Sequence, residues 1–287
     1  MCHAAEPASL SIRFHPPPQP GGCNQHLVPP SCNTPKTWAD PKMKAFRGGT
    51  PLKLSVIIPA FNERGRIRRC VEEVTRVASD MRVDYEVIVV DDGSGDGTFS
   101  VVSEMARRNS RVKVVRNYMN EGKGCAVKKG FQHSSGDAVA YIDADLSISP
   151  RRLSSYLRAL SSADVVIGSK RHPKSDIVYP LHRRILSKCF NILVRVLFRL
   201  PLSDTQCGFK VFKRRVLEDV VSKLRVKGYA FDVELLILTY MKGYRIVEAP
   251  VVLRHRERRM SVRSILRMLL DLLGVFLRVY VTKVYEG

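Results

Sequence analysis

Five short apolar runs separated by helix-length stretches leave this chain very few architectures. They are Leu54–Pro59, Tyr85–Val90, Val112–Val115, Ala138–Ile142 and Asp164–Gly168. Strands that are apolar almost throughout are buried on both faces. Alternated with helices at this spacing, they build βαβ units around a parallel sheet. After the first run, Ile67, Val71, Val74 and Val77 recur at helical spacing. Asn62 is expected to cap that helix and Asp96 the next one. Asn120–Gly124 opens a third helix and Pro150 a fourth. The expected fold class is α/β.

The strand ends then point to a site. In such sheets ligands sit beyond the strand C-termini, where Asp91, Asp92, Asp143 and Asp145 all emerge. Asp143-Ala144-Asp145 offers only oxygen, which suits Mg²⁺ or Mn²⁺ rather than zinc. An isolated D-x-D is more often two solvated acids in a loop. Four acids at one edge of a protein of formal charge +21 would repel one another if left empty. Lys123, in the turn Asn120-Glu121-Gly122-Lys123-Gly124, can meet an anion at a helix start together with backbone donors.

A charge of +21 on 287 residues calls for an anionic partner: nucleic acid, lipid headgroups or phosphorylated substrates. The seven cysteines show no disulfide framework, so a reducing compartment is expected. Residues 1 to about 50 hold nine of the sixteen prolines and are expected to be disordered, with Met43 an equally good start. Neither a signal peptide nor a transmembrane helix is expected. From Lys170 to Arg215 there are twelve Lys/Arg against two acids. Within that stretch, Leu181–Leu200 reads as a helix with Arg184, Lys188, Asn191, Arg195 and Arg199 on one polar stripe. In the last segment Arg263, Arg267, Asp271, Gly274 and Arg278 form another. Two basic helices with wide apolar faces suit a membrane interface; packing on the core or on another protomer is the alternative. Nucleic acid is disfavoured, because the basic residues accompany apolar helix faces rather than stacking aromatics.

In order, Val56-Ile57-Ile58-Pro59-Ala60-Phe61-Asn62-Glu63, Val89-Val90-Asp91-Asp92-Gly93-Ser94, the Gly122-Lys123-Gly124 turn and Asp143-Ala144-Asp145 resemble the family 2 glycosyltransferases of GT-A fold. Gly168-Ser169-Lys170-Arg171, Asp204-Thr205-Gln206-Cys207-Gly208-Phe209-Lys210 and Phe231-Asp232-Val233-Glu234-Leu235-Leu236 look like the polyprenyl-phosphate branch. The nearest likeness is to dolichyl-phosphate β-glucosyltransferases, then to dolichyl-phosphate mannose synthases. It covers about residues 52 to 275. The resemblance implies a mostly parallel sheet in a domain over residues 51–250, after a Pro-rich extension (1–50) and before a C-terminal loop and amphipathic interfacial helix (251–287).

It also implies roles. Pro59, Ala60 and Glu63 would border the nucleotide, and Asp91, with Asp92 beside it, would accept a base N–H. Lys123 would meet the diphosphate. Asp143 and Asp145 would hold Mg²⁺ or Mn²⁺, Asp145 acting catalytically with Asp204; Asp204 and Gln206 would orient the donor sugar or the acceptor, a structural loop role being the alternative for Gln206. Lys170, Arg171, Arg183 and Arg184 would bind the acceptor phosphate. The family's acceptor arginine falls on Lys170, which leaves open whether Lys170 or Arg171 serves. Arg256 would belong to a loop closing over the diphosphate, although the usual Gly-Ser-Lys after it is Arg258-Arg259-Met260 here. The implied activity is inverting transfer of a hexose, glucose from UDP-glucose or alternatively mannose from GDP-mannose, to dolichyl or polyprenyl phosphate. The implied location is peripheral or monotopic, at the cytoplasmic face of the plasma membrane or endoplasmic reticulum. A catalytically silent lipid-phosphate-binding module is the alternative from another class.

Overall fold

The computed structural model describes residues 52–178, 181–254 and 262–285. The Pro-rich extension, Arg256 and the closing loop lie outside them. The strands are β1 (Lys53–Ala60), β2 (Asp84–Asp92), β3 (Val112–Asn117), β4 (Ala138–Ile142), β5 (Val165–Ser169), β6 (Asp176–Val178), β7 (Phe209–Lys213), β8 (Ile246–Pro250) and β9 (Val252–Arg254). The α-helices are α1 (Arg64–Asp80), α2 (Thr98–Arg108), α3 (Lys123–Gln132), α4 (Leu153–Ala159), α5 (Leu181–Phe198), α6 (Arg214–Val220), α7 (Phe231–Met241) and α8 (Val262–Tyr280).

Seven strands form one sheet in the order β3-β2-β1-β4-β7-β5-β8, and β6 pairs with β9 apart from it. Neighbours run parallel except β7, which is antiparallel to both β4 and β5. Strand order reverses about β1, which lies between β2 and β4, so the crevice of an open α/β sheet falls there. The five strands expected from sequence are present. β7 was hidden because Phe209-Lys210-Val211-Phe212-Lys213 alternates apolar residues with lysines inside a basic stretch, although Lys210 is 0 % exposed.

Successive residues of a strand face opposite ways, and the core divides accordingly. Val56 and Ile58 pack with Ile67, Val71 and Val74 of α1 on one side of the sheet. Ile57, Ile88 and Tyr141 pack with α5, α7 and α8 on the other. The helix starts differ from expectation. Asn62 has φ of 54° and accepts from the Gly95 amide (3.1 Å) rather than capping α1. Asp96 serves both helices, accepting from Arg64 N at the start of α1 (2.9 Å) and from Thr98 N at the start of α2 (2.9 Å).

The two amphipathic helices are more than surface attachments. Phe190, Val194 and Phe198 of α5 and Met268, Leu272, Val275 and Val279 of α8 are buried in the core. Asn191, assigned to a polar stripe, is buried too, and its Oδ1 accepts from the Thr205 amide (3.1 Å). Phe198 meets the rings of Phe276 and Tyr280 at 6.1 and 6.2 Å, joining the helices. Both also leave large aliphatic side chains outside, Val196 being 71 % and Leu270 68 % exposed. Among the described residues, no helix is long and apolar enough to cross a membrane.

Candidate active site

The ends of β1, β2 and β4 converge on a cleft of about 600 Å³. Pro59, Ala60, Glu63, Asp92, Lys123, Asp143, Asp145 and Gln206 all line it. Among the described residues its lining carries six carboxylates and three cations.

Asp91 and Asp92 are neighbours with different surroundings. Asp92 is saturated: it accepts from Asn117 Nδ2 (2.7 Å), Glu121 N (3.0 Å) and Gly122 N (2.8 Å), fixing the loop that opens α3. Gly122 suits that loop for a second reason. Its φ is +98°, and a Cβ there would stand 2.5 Å from the Lys227 carbonyl oxygen. Asp91 lies outside the cleft lining, 0 % exposed, with neither oxygen hydrogen-bonded. Arg116 Nε is 3.3 Å away and attracts it without the alignment of a hydrogen bond. Burial raises the Asp91 pKa, with Ser94 and Arg116 pulling the other way. Ser94 and the Arg116 charge are thus what stabilise this buried carboxylate.

Lys123 starts α3 and is held from two sides, 2.8 Å from Asp143 Oδ1 and 3.4 Å from Asp232 Oδ2. Burial alone would lower its pKa; the two carboxylates outweigh that and keep it charged. Asp232, near the start of α7, also receives Lys210 Nζ (2.6 Å) and the Tyr141 hydroxyl. Lys210 donates in addition to the Cys207 carbonyl (2.7 Å). A buried chain thus runs from β4 and β7 through Asp232 to the lysine in the cleft.

Asp143 follows β4 directly, and its amide donates to Gly208 O (3.1 Å) at the entry to β7. A Cβ at Gly208 would sit 1.8 Å from Asp143 Oδ2, so only glycine leaves room for this carboxylate. Desolvation raises the Asp143 pKa against the pull of Lys123, and Asp145 and Asp232 raise it further. Asp145 is aimed by Ser147, whose amide (2.9 Å) and hydroxyl (2.8 Å) both donate to it. Two oriented oxygen ligands, separated by one residue in the chain, fit a hard divalent cation. Among the described residues, no group of three or more His, Cys, Asp or Glu could hold one alone. The pair would therefore leave coordination positions for water and a diphosphate, as Mg²⁺ sites commonly do.

The residues after β5 are placed differently. Asp204 is 1 % exposed and receives both the Lys170 amide (2.9 Å) and its ammonium (2.8 Å). Arg171 donates to the carbonyls of Ser203 (2.6 Å) and Ser187 (3.1 Å). None of the three lines the cleft. All three tie the end of β5 to α5 and the 203–206 loop. Arg184 is exposed on α5, and the Arg183 side chain lies outside the described residues.

Sequence reasoning gave no site role to Phe61, Tyr229, Asp232, Arg263 or Arg267, which also line the cleft. Asp232 could have been found as an acid in the otherwise apolar run Phe231–Leu236. Arg263 and Arg267 were read as one stripe but assigned to a membrane surface.

An open α/β sheet with a D-x-D pair at its strand-order reversal, beside a glycine-flanked lysine, defines the GT-A class of folds. In agreement, the glucosyl-3-phosphoglycerate synthase of Mycobacterium tuberculosis, solved with Mn²⁺ and UDP-glucose, superimposes with a TM-score of 0.61 at 20 % identity, over 86 % of this chain and 84 % of that one. The chain belongs to the family 2 glycosyl transferases, whose family model matches residues 55–221. Its relatives include the dolichyl-phosphate beta-glucosyltransferase of Dictyostelium discoideum, 33 % identical over 69 % of this chain and 65 % of the relative. Glycosyltransferase AglD of Haloferax volcanii is 31 % identical over 70 % of this chain and 33 % of the relative. The chain thus spans a third of one relative's length and just under two thirds of the other's.

Proposed function

We propose that this glycosyltransferase moves glucose from UDP-glucose onto dolichyl or polyprenyl phosphate with inversion, at the cytoplasmic face of a membrane. The carrying observation is the convergence of Asp143, Asp145 and a doubly held Lys123 in one cleft. Asp143 and Asp145 would hold Mg²⁺ or Mn²⁺, which when bound neutralises charge gathering on the leaving diphosphate. Lys123, kept charged by Asp143 and Asp232, faces the same charge. Pro59, Ala60 and Glu63 border the nucleotide. The lipid-phosphate acceptor is supported by the name of the Dictyostelium relative.

Such an acceptor also removes the need for a dedicated base. A phosphate monoester has a second pKa of about 6 and is largely ionised near neutrality. Its oxygen attacks the anomeric carbon while the bond to the diphosphate oxygen breaks on the opposite face, so no proton needs removal. The exposed aliphatic residues of α5, with Arg184, Lys188 and Arg195 exposed on that helix and Arg199 just after it, support docking on an anionic membrane surface.

The test offers labelled UDP-glucose or GDP-mannose with dolichyl phosphate and Mg²⁺, Mn²⁺ or chelator. Glucose should enter the lipid phase from UDP-glucose only when metal is present. Mannose incorporation would reassign the donor, and no transfer from either would overturn the activity. Flotation with anionic liposomes tests the location; protein left at the bottom of the gradient would count against it.

A further inference from the structure

Transfer to a lipid phosphate requires cations at the acceptor, yet Lys170 and Arg171 are engaged by Asp204 and by backbone carbonyls. The last helix supplies others. Arg263, Ser264 and Arg267 line the same cleft as Asp143 and Asp145. The two arginines are exposed and stand four residues apart on α8, so they share one row of the helix surface. Further along the stripe the charges are spent internally. Arg278 is 3.4 Å from Glu234 and donates to the Tyr285 hydroxyl (2.8 Å). Asp271 also lines the cleft, where burial raises its pKa and Arg267 and Arg278 pull it down. The basic end of the stripe is therefore the half at Arg263.

Leu266 and Leu270, each three residues beyond an arginine, form the adjoining row, and Leu273 and Leu277 continue it. All four are exposed, from 44 to 68 %. They are surplus to the fold, because α8 already buries Met268, Leu272, Val275 and Val279. An anion without a tail would use the arginines and leave the leucines wet; an apolar chain without a phosphate would do the reverse. Only an amphiphile uses both rows.

We infer that Arg263 and Arg267 bind the phosphate of an isoprenoid monophosphate whose chain lies along the Leu266–Leu277 row of the same helix. Guanidinium forks match phosphate oxygens in pairs, which a lysine's point charge does not. The inference rests on the acceptor class proposed above. It makes α8 the acceptor wall of the cleft that Asp143 and Asp145 also line.

The test uses the full chain in detergent micelles. Binding of farnesyl phosphate and of farnesol is measured for wild type, Arg263→Gln, Arg267→Gln, the double variant and Leu270→Ser. Wild type should prefer the phosphate. Each arginine variant should weaken farnesyl phosphate about tenfold while leaving farnesol unchanged, the loss expected of one charge-assisted contact. Leu270→Ser should weaken both ligands alike. Affinity for UDP with Mn²⁺ should stay within about twofold throughout, a loss smaller than that of one neutral hydrogen bond. The inference is overturned if the double variant keeps its phosphate preference, or if UDP–Mn²⁺ affinity falls instead. It is also overturned if the variants lose only binding to phosphatidylserine vesicles, which would assign the arginines to the bilayer. A wild type that transfers no sugar but shows the arginine-dependent preference would sink the proposed activity and leave this site standing. Active transfer with an unchanged lipid KM in the double variant would do the opposite.

Discussion

Replacing Asp232 by Asn tests the buried chain behind the cleft. Asp232 is the shared counter-charge of Lys210, which is 0 % exposed, and of Lys123, and it accepts the Tyr141 hydroxyl. Burial alone would raise its pKa; the two lysines and Tyr141 outweigh this and hold it below the ordinary aspartate value. Asn keeps the size and the oxygen that Tyr141 and Lys210 share, but removes the negative charge that balances the buried Lys210. Breaking a buried pair from one side costs about 3–5 kcal/mol. At about 2–4 °C per kcal/mol for a domain of this size, thermal unfolding should fall by roughly 10 °C. Removing both charges is different, because a buried pair replaced by apolar groups is often neutral. Asp232→Asn with Lys210→Met should therefore recover most of the stability, but not sugar transfer, since Lys123 still lacks its rear support. Circular dichroism melts and transfer rates on the two single variants and the double variant complete the cycle. A loss under about 1 kcal/mol in Asp232→Asn, the range of an exposed pair, would show that the chain carries little. Full activity in the double variant would show that Lys123 is positioned without it.

Asp145→Asn should abolish transfer while leaving the melt within about 1 °C, since Ser147 can still donate to the remaining oxygen; full activity would remove the metal assignment. Gly208→Ala should cut transfer at least tenfold, because the added methyl occupies the position of the Asp143 carboxylate; unchanged metal affinity by titration would refute this. Glu86 is buried, a state that raises a carboxyl pKa, but contacts from Lys113, Ser55 and Ser135 hold it down at about 2. With its folded pKa below its unfolded one, its contribution is complete above about pH 4.3 and fades as pH falls toward 2. Glu86→Gln should therefore flatten that acid limb in denaturant titrations, and an identical limb would count against it.

The fold was legible where residues of one strand agreed in character. The runs through Ile57, Val89 and Tyr141 could be nothing but two-sided strands, and the acids after them marked the crevice. Legibility failed where a charge is cancelled at long range. Lys210 was only one charge in a basic stretch, because its partner Asp232 stands twenty-two positions on. Lys170 and Arg171 looked available because Asp204 and the Ser203 carbonyl are thirty-odd residues away and the Ser187 carbonyl sixteen. Conversely, Arg263 and Arg267 were seen as a stripe, but periodicity says which residues share a side of a helix and not what that side meets.

The reversed direction of β7 has a consequence for how such a protein can diversify. Because β7 enters the sheet where β4 leaves it, the backbone of Asp143 is pinned to Gly208 by a neighbour running the other way. Variation in the surrounding loops cannot shift that carboxylate without unzipping two strand pairings. The terminal helix is under no such lock, so its outward rows are free to change with the cargo while the sugar-nucleotide end stays put.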